Sequence, residues 1–265
     1  MTPRVIAHRG NSSVAPENTI AAFDAALAAG ADAIEVDLQL TADGVAVVIH
    51  DDRLDRTTDL VGLVAESDAR SLAAADAGSW FGPAFAGTRV PTFDDLVAWA
   101  VAHPSIGWLL EFKGRWEERS LVPELDKVRL AGMVARTVVQ GFDVETVRAL
   151  GAAAPDFRLE LLVHELPAAA AAAAAAVATA ELVRLLGEVG AAGCNPSGLL
   201  LVEHPHLTAD LRAAGFSVTP WTLDEPRHWE LAAAAGVEGI ITNRPGELVA
   251  WSQVVAWPTV EPVGV

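Results

Sequence analysis

The sequence predicts an α/β fold, a single (β/α)8 TIM barrel, and three observations lead there. Short apolar runs, many of them β-branched, alternate with alanine-rich helical patterns, as a parallel sheet wrapped in helices requires. The length of 265 residues suits one such barrel. Six polar clusters are His8-Arg9-Gly10, Pro16-Glu17-Asn18-Thr19, Glu35-Val36-Asp37, Asp43-Gly44, His50-Asp51 and Glu111-Phe112-Lys113. Most of them sit at, or just after, the end of an apolar run. Sites in α/β proteins gather at the carboxyl ends of strands.

Eight strands are expected at Arg4–Ala7, Ala33–Leu38, Trp108–Phe112, Thr137–Gly141, Arg158–Val163, Gly193–Pro196, Val218–Thr222 and Gly239–Thr242. Helical patterns lie between them at Thr19–Ala29, Asp94–Ala102, Leu121–Ala131, Val144–Ala152, Leu207–Ala214 and Pro226–Ala235. Gly30, Gly215 and Gly236 follow three of these helices, where a left-handed C-terminal cap needs glycine.

The run Val45–Ile49 breaks the alternation. It follows the second strand through Thr41-Ala42-Asp43-Gly44, and Asp-Gly is a strong hairpin signal. A loop too short for a crossover makes this pair antiparallel. With a two-residue loop His50 lies opposite Asp37, and with a four-residue loop opposite Glu35. Only an odd-length loop would turn His50 to the other face.

Residues 52–90 carry Gly62, Gly78, Gly82, Pro83 and Gly87 with Trp80, Phe81 and Phe85, and show no clear strand. They are expected as an inserted excursion over the barrel mouth rather than a second domain, since so short a piece rarely folds alone. Thr92 then caps the next helix, with Asp95 three residues on. The alanine tract predicts a helix from about Ala168 to Leu186, entered through Pro167. The apolar tail Trp251–Val265 suggests docking on the barrel or a subunit contact. Residues 1–265 are thus expected to form one domain.

A net charge of −17 argues against nucleic acid or an anionic membrane as a partner. The one cysteine, Cys194, excludes a disulfide framework and a cysteine-based zinc site. No secretory signal is visible, and the alanine tract is too short to span a bilayer. A cytoplasmic protein is the expectation, with no stable membrane insertion and the oligomeric state left open.

Glu35 and Asp37 lie on one face of their strand, so their charges repel unless a cation intervenes. A hard divalent ion with oxygen ligands fits, and Glu111 would be a third ligand. The alternative is a solvated edge strand. Lys113 is one of only two lysines, which suggests a specific role rather than a surface ion pair. His8 and His50 are the candidates for proton transfer, and Arg9 offers a planar fork to an anion. His103, His204, His206 and His228 are expected to be solvated, while His164 ends a strand and could reach the mouth. Trp221 could wall a substrate's carbon part or simply pack. Two imidazoles, an anion clamp and an all-oxygen cation site fit phosphoryl transfer.

These residues resemble the glycerophosphodiester phosphodiesterase family. The resemblance runs through His8-Arg9-Gly10, Pro16-Glu17-Asn18-Thr19, Glu35-Val36-Asp37, His50-Asp51, Arg56-Thr57-Thr58 and Ala77-Gly78-Ser79-Trp80-Phe81. It continues through Glu111-Phe112-Lys113, Trp221-Thr222 and Gly239-Ile240-Ile241-Thr242-Asn243. It implies a metal-dependent barrel enzyme that hydrolyses glycerophosphodiesters to sn-glycerol 3-phosphate and an alcohol. His8 and His50 would then be the acid–base pair. Glu35, Asp37 and Glu111 would bind one divalent cation, Mg2+ or Ca2+, while Arg9 and Lys113 contact phosphate. Two positions depart from the family pattern: Gly141 stands where serine is more common, and Asn243 where aspartate is common. Neither is expected to touch the catalytic set. The competing readings are a lysophospholipase D or sphingomyelinase D type of activity, and a catalytically silent barrel used as a binding module.

Overall fold

The computed structural model describes residues 2–166 and 174–254. Nine strands alternate with helices, and eight of the strands run parallel in a nearly closed barrel. The strands are β1 (Arg4–His8), β2 (Ala33–Leu40), β3 (Ala46–Val48), β4 (Gly107–Phe112), β5 (Thr137–Gly141), β6 (Arg158–Val163), β7 (Gly193–Pro196), β8 (Ser217–Val218) and β9 (Gly239–Thr242). Their order around the barrel is β8-β7-β6-β5-β4-β2-β1-β9, with β3 pairing off this path to β2.

The helices are α1 (Ile20–Ala28), α2 (Ala69–Ala74), α3 (Phe93–Ala102), α4 (Glu118–Leu130), α5 (Val144–Ala153), α6 (Ala174–Val189), α7 (Gly198–Glu203), α8 (Leu207–Ala213), α9 (Pro226–Ala235) and α10 (Pro245–Val254). Thr92 and Asp95 form a reciprocal capping box at the start of α3. Gly30, Gly215 and Gly236 take positive φ just past their helices, as a left-handed cap demands. The expected entry into the alanine helix through Pro167 lies outside the described residues, as do 255–265 of the tail. Within α10, the tail's Trp251 packs edge-on to Trp229. No described helix is long and apolar enough to cross a membrane.

Strand β8 is shorter than the expected Val218–Thr222. Pro220 has no N–H to give to a ladder, so the regular pairing stops at Val218. The chain still closes the barrel through backbone bonds: Glu238 donates to Val218, Ile241 to Pro220 and Leu223 to Ile241, at 3.0 Å each. The short helix α7, directly after β7, has no clear signal in the sequence.

The hairpin forms, but its register corrects the expected geometry. Leu38 pairs with Val48, Gln39 with Val47 and Leu40 with Ala46. That register leaves an odd-length loop, Ala42-Asp43-Gly44, closed by Thr41 N–H to Val45 and Gly44 N–H to Thr41. Continued regularly, β3 would put His50 opposite Val36, on the wrong face. The ladder ends first. The side-chain amide of Gln39 donates to the carbonyls of Ile49, His50 and Asp51, at 3.1, 2.8 and 2.8 Å, and curls the chain out of the strand. His50 thereby returns to the mouth by a turn rather than by alternation.

Residues 52–90 contain α2, two 3-10 turns and one isolated bridge between Arg53 and Leu63. Val47, Ile49, Leu54, Val64, Leu72, Ala77 and Val90 form a minor core of their own beneath them. The main core lies between the outer face of the barrel and its helices.

Replacing Gln39 by Leu leaves three carbonyls without their donor. We expect a loss of about 1–3 kcal/mol in urea unfolding, with faster amide exchange confined to residues near 49–51. Unchanged exchange there would show that another contact holds the turn.

Candidate active site

The site follows from strand periodicity. Ile6, Ala33, Leu109, Val138 and Ile241 fill the barrel's interior. Two residues on from each, the same inward face carries His8, Glu35, Glu111, Gln140 and Asn243 at the carboxyl end. Pairing aligns His8 with Glu35, Asp37 with Glu111, and Glu111 with Gln140. A cleft of about 430 Å³ opens over this layer, lined by His8, Arg9, Glu35, His50, Glu111 and Lys113 on its polar side. Phe142, Leu162, His164, Trp221 and Ile241 line the apolar side.

Glu35, Asp37 and Glu111 each offer an oxygen, and these atoms lie within 4.8 Å of one another. Glu35 and Asp37 are only 2% and 1% exposed, which rules out the solvated edge strand. Such a triad can hold a hard divalent cation. Arg9 and Lys113 partly offset its charge: Arg9 Nε lies 3.3 Å from Asp37, and Lys113 Nζ lies 3.5 Å from Asp37 and 3.1 Å from Glu111. Burial raises all three carboxyls. In Asp37 the Arg9 and Lys113 cations, and a hydrogen bond from Asn18, outweigh that and hold it below its usual value. Glu111 is pushed up to about 7 by burial and then by the charge of Asp37. Glu35 is raised well above the carboxylate range for the same reasons, burial first. The cations thus offset chiefly the charge of Asp37, while burial shifts Glu35 and Glu111 toward the protonated form.

His8 is held by its second ring nitrogen. Nδ1 lies 2.7 Å from Asn243 Oδ1. The Asn243 amide can face only one way, because its Nδ2 donates to Asp224 Oδ2 at 2.7 Å while Ser12 Oγ donates to Oδ1 at 2.9 Å. His8 must therefore carry its proton on Nδ1, leaving the Nε2 lone pair 4.0 Å from Glu35. Burial and then the Arg9 charge lower its pKa to about 4, so the ring is neutral near pH 7. The expectation that Asn243 stays clear of the catalytic set is thus overturned. The strand alternation that brings Ile241 inward brings Asn243 with it.

His50 pairs through Nδ1 with Asp51 Oδ1 at 2.6 Å. Arg56 grips Asp51 through Nε and Nη2, at 2.6 and 2.9 Å, and binds Glu17 through Nη1 and the same Nη2, at 2.8 Å each. Hydrogen bonding from Arg56 and from His50 holds Asp51 well below its usual value. Glu17 in turn accepts from Arg9 at 2.8 Å, so one ionic chain joins both imidazoles' surroundings.

Arg9 and Asn18 adopt left-handed backbone, with φ of 58° and 57°, uncommon outside glycine. The Asn18 N–H donates to the Arg9 carbonyl at 2.9 Å, and its side chain donates to Asp37 at 2.8 Å. Asn18, Asp51, Arg56, Gln140, Asp224 and Asn243 carried no role in the sequence reading. The period-two spacing from the interior residues was the signal available for Gln140 and Asn243. Trp221 does line the cleft, packed edge-on against Phe142 and His164, with Nε1 donating to Asn195 O at 2.7 Å. His164 stacks on Phe142 at 4.7 Å. Of the histidines expected to be solvated, His103 is half-buried and stacks on Trp99.

The fold and site define a (β/α)8 barrel with a charged, cation-competent cleft at the strand ends. The glycerophosphoryl diester phosphodiesterase family model matches residues 8–247. A glycerophosphodiester phosphodiesterase of Caldanaerobacter subterraneus is 32% identical over 251 residues, covering 94% of this chain and 97% of the relative. A structure of the same enzyme from Agrobacterium tumefaciens superposes with a TM-score of 0.76 at 29% identity, over 94% of this chain and 99% of that one. An Oleispira antarctica phosphodiesterase, solved with the product sn-glycerol 3-phosphate, gives a TM-score of 0.84 at 25% identity, over 95% and 97%. The chain belongs to the glycerophosphoryl diester phosphodiesterase family.

The charge state has a pH signature. With its folded pKa near 7 against an ordinary 4.5, Glu111 keeps a proton that the unfolded chain has released. Stability of the metal-free protein therefore falls as pH rises from about 4.5 to about 7, and Glu35 acts in the same sense. His8, lowered from 6.5 to about 4, acts oppositely, and its effect is complete by pH 6.5. We expect the melting temperature of the metal-free protein to drop between about pH 6.5 and 8, and Mg2+ or Ca2+ to remove most of the drop. A melting temperature that rises over that interval would contradict these charges.

Proposed function

We propose that this chain hydrolyses glycerophosphodiesters to sn-glycerol 3-phosphate and an alcohol, with His8 and His50 as the acid–base pair and one divalent cation, Mg2+ or Ca2+. One observation carries the reading: two differently tethered imidazoles line a single cleft with Glu35 and Glu111, two members of a three-carboxylate cluster. The whole chain is read as one domain, with 52–90 bracing the mouth through Arg56, which holds the Asp51 partner of His50. Its substrate is a small molecule, not nucleic acid.

Glu35, Asp37 and Glu111 would hold the cation, whose bound form supplies positive charge against the phosphate oxygens. Arg9 and Lys113 add theirs from the same wall of the cleft. His8, neutral with a free Nε2, is suited to accept the proton of the attacking oxygen. His50, bonded through Nδ1 to the carboxylate of Asp51, is the candidate to protonate the leaving alcohol. Trp221, with Phe142, offers an apolar wall to the carbon part of the substrate.

Turnover of glycerophosphocholine should vanish with a chelator and return with Mg2+ or Ca2+. His8→Ala and His50→Ala should each lower kcat by roughly 10²-fold or more. Activity that survives complete chelation would remove the metal from the mechanism, and a near-wild-type rate in either variant would remove that histidine.

One observation favours a second reading, hydrolysis of acylated substrates of the lysophospholipase D type. An apolar groove of about 670 Å³ runs between α7 and α9 and shares Trp221 with the cleft. Leu199, Val202 and Leu231 line it although 60–63% exposed. Comparing kcat/KM for glycerophosphocholine and its long-chain acyl analogue separates the two readings.

A further inference from the structure

Gln140 lines the cleft one strand away from Glu111, its partner in the sheet register, and the side chain is fully buried. Its amide cannot choose its orientation. Arg158 Nε donates to Glu160 Oε1 at 2.8 Å, and Glu160 Oε2 accepts from Asn195 Nδ2 at 2.8 Å. That carboxylate fixes which end of Asn195 is the amino group. The same nitrogen donates to Gln140 Oε1 at 2.7 Å. Turning the Gln140 amide over would face two amino groups at that distance, and turning Asn195 over would face its oxygen to a carboxylate. Gln140 Nε2 is thereby directed away from Asn195, and it has no hydrogen-bond partner. Buried donors without acceptors are rare because each is costly.

We propose that Gln140 is a further substrate-binding residue, its Nε2 donating to an oxygen of the substrate's phosphoryl group. This rests on the phosphodiesterase reading of the site. Two residues on, at the next inward position of the same segment, Phe142 belongs to the apolar wall, while Glu111 on the neighbouring strand belongs to the charged one. A phosphodiester spanning the cleft from the cations to the aromatic wall passes over this boundary. Its phosphoryl oxygens are the strongest acceptors it carries. A neutral, preoriented donor meets them without adding charge to the cluster of Arg9, Lys113 and three carboxylates, and it tightens as negative charge develops.

The test uses full-length protein loaded with Mg2+, the variants Gln140→Met and Gln140→Glu, and glycerol 3-phosphate as the binding probe. Gln140→Glu keeps an acceptor for Asn195 and loses the donor, so it remains informative if Gln140→Met folds poorly. Both should weaken inhibition by glycerol 3-phosphate by about 10-fold or more, the loss of one hydrogen bond to a charged group. In Gln140→Met, Mg2+ affinity and melting temperature should stay at wild-type values. Wild-type glycerol 3-phosphate inhibition in Gln140→Glu would overturn the assignment. So would an equal loss of Mg2+ affinity in Gln140→Met, which would make Gln140 a positioning residue for Glu111. Wild-type protein inactive on glycerophosphocholine would instead overturn the phosphodiesterase reading itself, before any variant is compared.

Discussion

Three carboxyl groups confined within 4.8 Å at a buried strand end are the constraint on which the rest of the site depends. In a chain with a net charge of −17, nothing in the long-range field relieves them. Relief comes locally, from Arg9 and Lys113, and both cations are anchored on Asp37. That leaves Glu35 and Glu111 with raised pKa values and an appetite for a proton or a divalent ion. Two steric details serve the same cluster. The left-handed turn at Arg9 lets its own N–H reach Glu35, and the one at Asn18 aims an amide at Asp37.

The two imidazoles are tethered to partners of different charge. His8 rests on a neutral amide that Asp224 holds in one orientation, whereas His50 rests directly on the carboxylate of Asp51. For His8 it is burial, and then the Arg9 charge, that favour the neutral ring, against the opposing pull of the Asn243 bond. Similar side chains are thus held by different partners, each through Nδ1. The cleft's two walls show the same division of labour, charged on one side and aromatic on the other.

Much of this was legible in the sequence because period-two alternation and strand-end position are local properties. Four strands, β5, β6, β7 and β9, match their expected bounds, and His8, Glu35, Asp37, Glu111, Lys113 and His50 do converge. The route by which His50 arrives was not legible. The register of β3 turns on one residue of loop length, and a side-chain amide from Gln39 overrides alternation after Val48. Partners distant in sequence were invisible for a related reason. Asn243 meets His8 across 235 residues, and Asn195 meets Gln140 across 55, contacts that exist only once the barrel closes. Helix α7 and the apolar groove beside it left no periodic signal either, since α7 has only six residues.

Glu35, Asp37 and Glu111 are the residues that would hold one divalent cation, and protons would compete with it there. Calorimetric titration of Mg2+ or Ca2+ into metal-free protein, in buffers of different ionisation enthalpy at pH 6 and pH 8, tests it directly. One saturable equivalent is expected, with protons released at pH 6 and fewer at pH 8, and binding lost in Asp37→Asn. Saturable binding with no proton release at pH 6, or undiminished binding in Asp37→Asn, would contradict it.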